Sequence, residues 1–259
     1  MAVVALPARW HIPDIMLPRV QPITPTWRKE PFDHPEWVFD FKYDGFRALC
    51  YLEQGRCRVI SRNSNVMCRF DALGEQVAAV LDVDNAVIDG EVIAADETGR
   101  PQFYELLRGR RTPAYIAFDV VWLNGVDLRS LPFNERRRRL HDILPEGSAI
   151  VSEALSVAGR GCELFQLMCA HDLEGIVGKR LADPYDPRVR WWKIKNPDYS
   201  QKEGQGGPVR KAMAAAVISA GRFRLDPHDP SQRFPAHHRD RGPFAVVNQM
   251  NAARLCQAL

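Results

Sequence analysis

No stretch of this sequence approaches the run of about 18 apolar residues that a membrane span requires. The first residues, Met1-Ala2-Val3-Val4-Ala5-Leu6-Pro7, lack the charged start of a secretory signal and are interrupted by Pro7 and Pro13. No C-x-x-C pair or zinc-ligand spacing links the six cysteines (Cys50, Cys57, Cys68, Cys162, Cys169 and Cys256). Scattered thiols suit a reducing compartment, so the cytoplasm is the expected location, with no membrane partner. Cys50 and Cys57 read as small apolar fillers on strands. No charge of one sign dominates either. The formal net charge of +3 permits nucleic-acid binding without arguing strongly for it. Arg108-Gly109-Arg110-Arg111 and Arg136-Arg137-Arg138-Arg139 are local exceptions, able in principle to neutralise phosphates.

What is present is an ordinary globular composition, 46% hydrophobic and 26% charged over 259 residues, enough for one large or two modest domains. Seven prolines between Pro7 and Pro35 predict that about the first thirty-five residues run extended over a surface, with residues 1–19 assigned as a separate N-terminal segment, and Met16 is a possible alternative start. Alternation predicts a strand over 37–41. Two more, over 46–52 and 57–61, flank the glycine turn Gln54-Gly55. Further strands are expected over 87–93, 115–122, 175–179 and 191–195, and helices over 73–81, 133–144 and 162–171. The arginine run then lies on a helix and reads most simply as a solvated face. Strands outnumber helices and hairpins outnumber βαβ units, which predicts an α+β fold with antiparallel sheets. Beyond residue 202, Glu203 to Pro208 reads as a linker. The rest reads as a low-order tail with one alanine-rich helix candidate, Ala212 to Ala220.

Charge on strands is where chemistry is expected. Lys42 follows a strand and opens the turn Lys42-Tyr43-Asp44-Gly45-Phe46-Arg47. A lysine at the mouth of a sheet becomes a nucleophile when neighbouring cations favour its neutral form, and Arg47 offers a planar fork for phosphate oxygens. A charged hairpin corner would look the same. Glu91 stands among apolar residues, Glu174 precedes a strand, and Lys193 and Lys195 share a strand face. Two carboxylates beside clustered lysines suit a divalent cation and a polyphosphate.

Lys42 to Arg47, Ser61-Arg62-Asn63, Asp89-Gly90-Glu91-Val92, Ala117-Phe118-Asp119, Glu174 to Arg180 and Trp191 to Asn196, in that order, resemble the ATP-dependent DNA ligases over about residues 20 to 200. The likeness is greatest to the bacterial ligases and the ligase domain of bacterial end-joining enzymes. The resemblance implies a nucleotidyltransferase (adenylation) domain over residues 20–202: two antiparallel sheets flanked by helices, with an ATP groove between them. It implies that Lys42 carries AMP covalently and that Arg47 and Glu91 contact the ribose. Phe118 would stack on adenine, Arg62 would meet a phosphate, Lys193 and Lys195 would neutralise the α-phosphate, and Glu174 with Glu91 would serve Mg²⁺. Asp40 stands where the family usually has a nucleotide-contacting glutamate. The implied partners are nicked or broken duplex DNA and an end-binding repair protein. The barrel of the OB-fold type that normally follows is not recognisable in the fewer than sixty residues after Lys202, which predicts slow self-adenylation. An RNA ligase, a capping-type guanylyltransferase and a non-catalytic nick-binding remnant remain as alternatives.

Overall fold

The structure, a computed structural model, describes residues 17–202. The expectations for residues 1–16 and for the linker and tail over 203–259 lie outside the described residues. Two sheets face each other. The first is ordered β1-β11-β10-β2-β9, from β1 (Thr26–Trp27), β2 (Asp33–Phe41), β9 (Ser156–Arg160), β10 (Gly175–Arg180) and β11 (Trp192–Lys195). The second is ordered β4-β3-β5-β6-β7, from β3 (Phe46–Glu53), β4 (Arg56–Ser61), β5 (Asn85–Ile93), β6 (Ala114–Leu123) and β7 (Val126–Asp127). The expected antiparallel sheets are present, each with one parallel pair: β1 with β11, and β8 (Val151–Glu153) with β6.

Turn chemistry sets these registers. Gln54 and Gly55 both take positive φ between β3 and β4, and Asn124 and Gly125 do so between β6 and β7. That is the backbone a two-residue hairpin turn requires. Helix α1 (Asp71–Val80) packs on β4 and α3 (Phe133–Ile143) on β6. With the short α2 (Phe103–Arg108) they cover the outer face of the second sheet, enclosing a cluster that includes Phe70, Leu73, Ile88, Leu106 and Leu140. Helix α4 (Gly161–Ala170) covers the outer face of the first sheet over Phe39, Leu164, Met168 and Ile176. A third cluster, including Ile23, Leu49, Val87, Tyr185 and Trp191, fills the space between the sheets and has Phe118 and Val177 at its margin. Cys50 fills the β3 core position as expected.

Two expectations are corrected. The proline-rich segment does not simply lie on the surface. Val20 and Ile23 are buried between the sheets, on a stretch that Pro18, Pro22 and Pro25 keep extended. The arginine run is not a solvated face. Helical periodicity puts residues 133, 136, 137 and 140 on one side. Arg136 is fully buried against Asp119, two parallel bonds of 2.8 Å each, and Arg137 reaches Asp40 and Glu153 at 2.7 Å. Only Arg138 and Arg139 face outward, paired with Glu135. In the other run, Arg108 and Arg110 pair with Glu105 and Arg111 with Glu97, so its positive charge is largely offset.

Candidate active site

Lys42 leaves the end of β2 and enters the turn that crosses from the first sheet to the second. Its backbone N–H donates to the Gly175 carbonyl at 2.9 Å, which ties the turn to the start of β10. The crossing is tight. A Cβ on Gly45 would meet the Val92 carbonyl oxygen at 2.2 Å, and one on Gly175, at φ +135°, would meet that of Ile194 at 2.1 Å. Only glycine lets these strands approach so closely.

The register of the first sheet aligns Lys193 with Val177 and Val177 with Asp40, so these three project to one face. Lys195 lies two residues on and shares that face, as the alternation predicted. The side chains converge on Glu174: Lys42 Nζ lies 2.6 Å from Oε2 and Lys195 Nζ 3.0 Å from Oε1. Burial works to raise the Glu174 carboxyl, but the two lysines outweigh it and hold it below its ordinary range. Lys193 is lowered, first by burial and then by the positive charges of Lys42, Lys195 and Arg62. Arg62 is exposed on the turn after β4, close enough to take part in that repulsion.

The second sheet supplies the opposite wall. Arg47 on β3 pairs across the strands with Glu91 on β5. Its guanidinium donates to both oxygens of Asp89, at 3.1 and 2.7 Å, and to the Ile23 carbonyl. Tyr185 donates to Asp89 Oδ2 at 2.6 Å, so the carboxylate fixing Arg47 is itself fixed. Glu91 is raised to about 8, chiefly by burial, against the opposing pull of Lys42 and Arg47 and with help from Glu174 and Asp44. Phe118 on β6 stands edge-to-face with Trp191, ring centroids 6.0 Å apart, and the Arg47 guanidinium lies 5.3 Å from its ring centre.

Asp40 is fixed by buried cations. Its carboxylate is buried and held by Lys179 at 2.6 Å and Arg137 at 2.7 Å. Lys179 in turn lies 4.3 Å from the ring centres of Phe118 and Trp191 and 4.9 Å from Phe133, and burial lowers its pKa. Sequence reasoning assigned no role to Lys179, Arg137, Asp89 or Tyr185. Lys179 was open to discovery, because it lies two residues after Val177 and so on the groove face. Tyr185, in a loop, carried no such signal. Lys42, Arg47, Glu91, Phe118, Glu174, Lys193 and Lys195 are thus brought together, with Arg62 at the margin and Asp40 buried against Lys179 and Arg137.

Residues 27–195 match the sequence model of the ATP dependent DNA ligase domain. This chain belongs to the ATP-dependent DNA ligase family. Within that family it is 33% identical over 233 residues to the multifunctional non-homologous end joining protein LigD of Pseudomonas aeruginosa, covering 74% of this chain and 27% of that protein. It is 30% identical to the SPbeta prophage-derived DNA ligase-like protein LigB of Bacillus subtilis, covering 67% of this chain and 66% of that one. The ligase-family chain therefore spans about a quarter of the first relative's length and about two thirds of the second's. Among solved structures, mycobacterial DNA ligase D complexed with ATP and MES matches with a TM-score of 0.59 and 26% identity, over 67% of this chain and 59% of that one. The ligase domain of M. tuberculosis LigD matches with a TM-score of 0.53 at 26% identity, over 67% of this chain and 60% of that one.

Proposed function

We propose that this chain is an ATP-dependent DNA ligase that seals nicks through a covalent lysyl-AMP on Lys42 and serves in end joining or repair. The observation that carries the reading is the Lys42 amine, 2.6 Å from a Glu174 carboxylate that Lys195 also contacts, at the mouth of a groove with an aromatic wall. The Lys42 nitrogen attacks the α-phosphorus of ATP. An N–P bond forms, the bond to the pyrophosphate oxygen breaks, and the amine proton leaves through Glu174 to solvent. The 5′-phosphate of the break then takes AMP from the lysine, and the 3′-hydroxyl displaces AMP to form the phosphodiester. Lys193 and Lys195 offset the α-phosphate charge, a role suited to fixed cations in a partly dry site. Phe118 stacks on adenine, Arg47 and Glu91 contact the ribose, and Arg62 meets a phosphate. Asp40 shapes the nucleotide pocket by holding Lys179 and Arg137.

Among the described residues no cluster of three or more His, Cys, Asp or Glu side chains stands ready for a cation. Two carboxylates, Glu174 and Glu91, fit Mg²⁺ that arrives with the triphosphate, since that ion takes one or two carboxylates and completes its shell with phosphate and water. It would supply charge neutralisation at the phosphates. The partners are nicked or broken duplex DNA and an end-binding repair protein. A cytoplasmic location accords with the chemistry, and no helix among the described residues is long and apolar enough to cross a membrane. The adenylation domain is assigned to residues 20–202.

The test is incubation with α-labelled ATP and Mg²⁺ followed by denaturation. Acid-labile label on the wild type, absent from Lys42→Ala and discharged by nicked DNA, is the expected outcome. Label that persists in Lys42→Ala overturns the assignment of the nucleophile.

A further inference from the structure

Trp27 is the most exposed large apolar side chain among the described residues, at 60% relative exposure. It ends the two-residue strand β1, and the parallel register sets it level with Lys193. The row Asp40–Val177–Lys193 along the groove face of the first sheet therefore continues outward to Trp27. At this edge lies a cavity of about 700 Å³ whose walls include Trp27, Pro31, Phe165 and Tyr199. Glu174 and Lys195 belong to this cavity as well as to the Lys42 cluster, so the two are continuous. None of the ATP contacts proposed above uses Trp27 or its apolar neighbours.

Charge and shape together limit the occupant. Among the described residues, Lys29, largely exposed, pairs with the similarly exposed Glu30 at 3.5 Å. Such a pair contributes little and exchanges readily for another anion. The negative charge of Glu174 is already met by two lysines. The cavity thus offers an exposed indole, apolar walls, and at its rim one exposed lysine, Lys29, able to meet a phosphate. A base stacks on an aromatic ring without regard to sequence, while backbone phosphates follow the cations.

We propose that Trp27 and this cavity receive the unpaired terminal nucleotide of a DNA strand at the break, with its base on the indole and its phosphate at Lys29. The inference rests on the ligase reading and deepens it: the edge strand selects frayed ends and delivers them beside Lys42. A fully paired duplex keeps its bases stacked and gains nothing from Trp27.

The test uses the full chain and three fluorescently labelled duplexes: intact, nicked with a paired 5′-terminal nucleotide, and nicked with that nucleotide mismatched. Wild type binds the mismatched nick more tightly than the paired one. Trp27→Ala weakens the mismatched complex about five- to a hundredfold, the range that base–aromatic stacking spans, and leaves the intact duplex unchanged. Trp27→Phe restores part of the preference. Thermal unfolding of Trp27→Ala at the wild-type midpoint shows that the fold is kept, as expected for a side chain mostly in water. Equal affinities of wild type and Trp27→Ala for the mismatched nick overturn the proposal, as does an equal loss for all three duplexes. A wild type that takes label from ATP but binds none of the duplexes overturns it while the adenylation reading stands. Trp27-dependent preference without any label does the reverse.

Discussion

Before nucleotide and metal bind, burial keeps a proton on the Glu91 carboxyl at neutral pH. Its unfolded form titrates near 4.5 and its folded form at about 8. Between those values the folded state binds the extra proton, so this group's contribution to stability falls as pH rises through the window. Glu91→Gln removes the slope. Near pH 5 the variant and wild type should unfold at similar temperatures. At pH 8.5 the variant should be the more stable by roughly 2 kcal/mol, less than the full shift implies because the side chain keeps some access to water. Thermal melts at the two pH values check this, and parallel curves would show that burial does not control Glu91. At this scale the sequence was informative wherever charge broke the apolar pattern of a strand. Lys42, Glu91, Lys193 and Lys195 stood out in that way. The partners that orient them did not, because the Asp89–Tyr185 bond joins residues 96 positions apart and leaves no local pattern.

The strands and helices that carry the site were legible to within a few residues where periodicity was strong. Helix α1, expected over 73–81, runs from Asp71 to Val80, and β5, expected over 87–93, runs from Asn85 to Ile93. The elements missed were short or conditional on tertiary contact. Strands β1 and β7 have two residues each and β8 three, and α2 has six, too few for a period to show. The reading of α3 shows the opposite fault: four arginines in a row look solvated, yet two of them serve buried carboxylates. The start of β10 also shows how one element holds the reactive groups. Gly175→Ala places a methyl group against the Ile194 carbonyl and forces an L side chain to φ +135°. Unfavourable backbone of this kind costs about 1–3 kcal/mol, and the clash parts β10 from β11. Gly175→Ala should melt below wild type and take up less than a tenth of the label from ATP. Wild-type labelling would mean that the lysines of β11 are not held through this contact.

Across the molecule, the net charge of +3 understates the local field. Lys42, Lys193, Lys195 and Arg62 crowd one groove, while most other arginines among the described residues are paired within the fold. The fold class was readable because the hairpin turn at Gln54-Gly55 and the excess of strands over helices announce antiparallel pairing. The parallel pairs were not, since they join distant segments without a local turn.

That long-range pairing has a consequence for the order of assembly. The second sheet, apart from β8, is drawn from one continuous stretch, β3 to β7. The first sheet joins β1 and β2 to β9, β10 and β11, so strands from the start of the described chain wait for residues as late as Lys195. Distant pairings are slow because the intervening loop must close first. On a ribosome, the second sheet can form while the first is incomplete, and Lys42 has no Glu174 beside it until β10 arrives, and no Lys195 until β11 does. Pulse-labelled hydrogen exchange during refolding should find β3 and β5 amides protected before those of β2 and β10. The covalent chemistry proposed for Lys42 would thereby be held back until synthesis has passed Lys195.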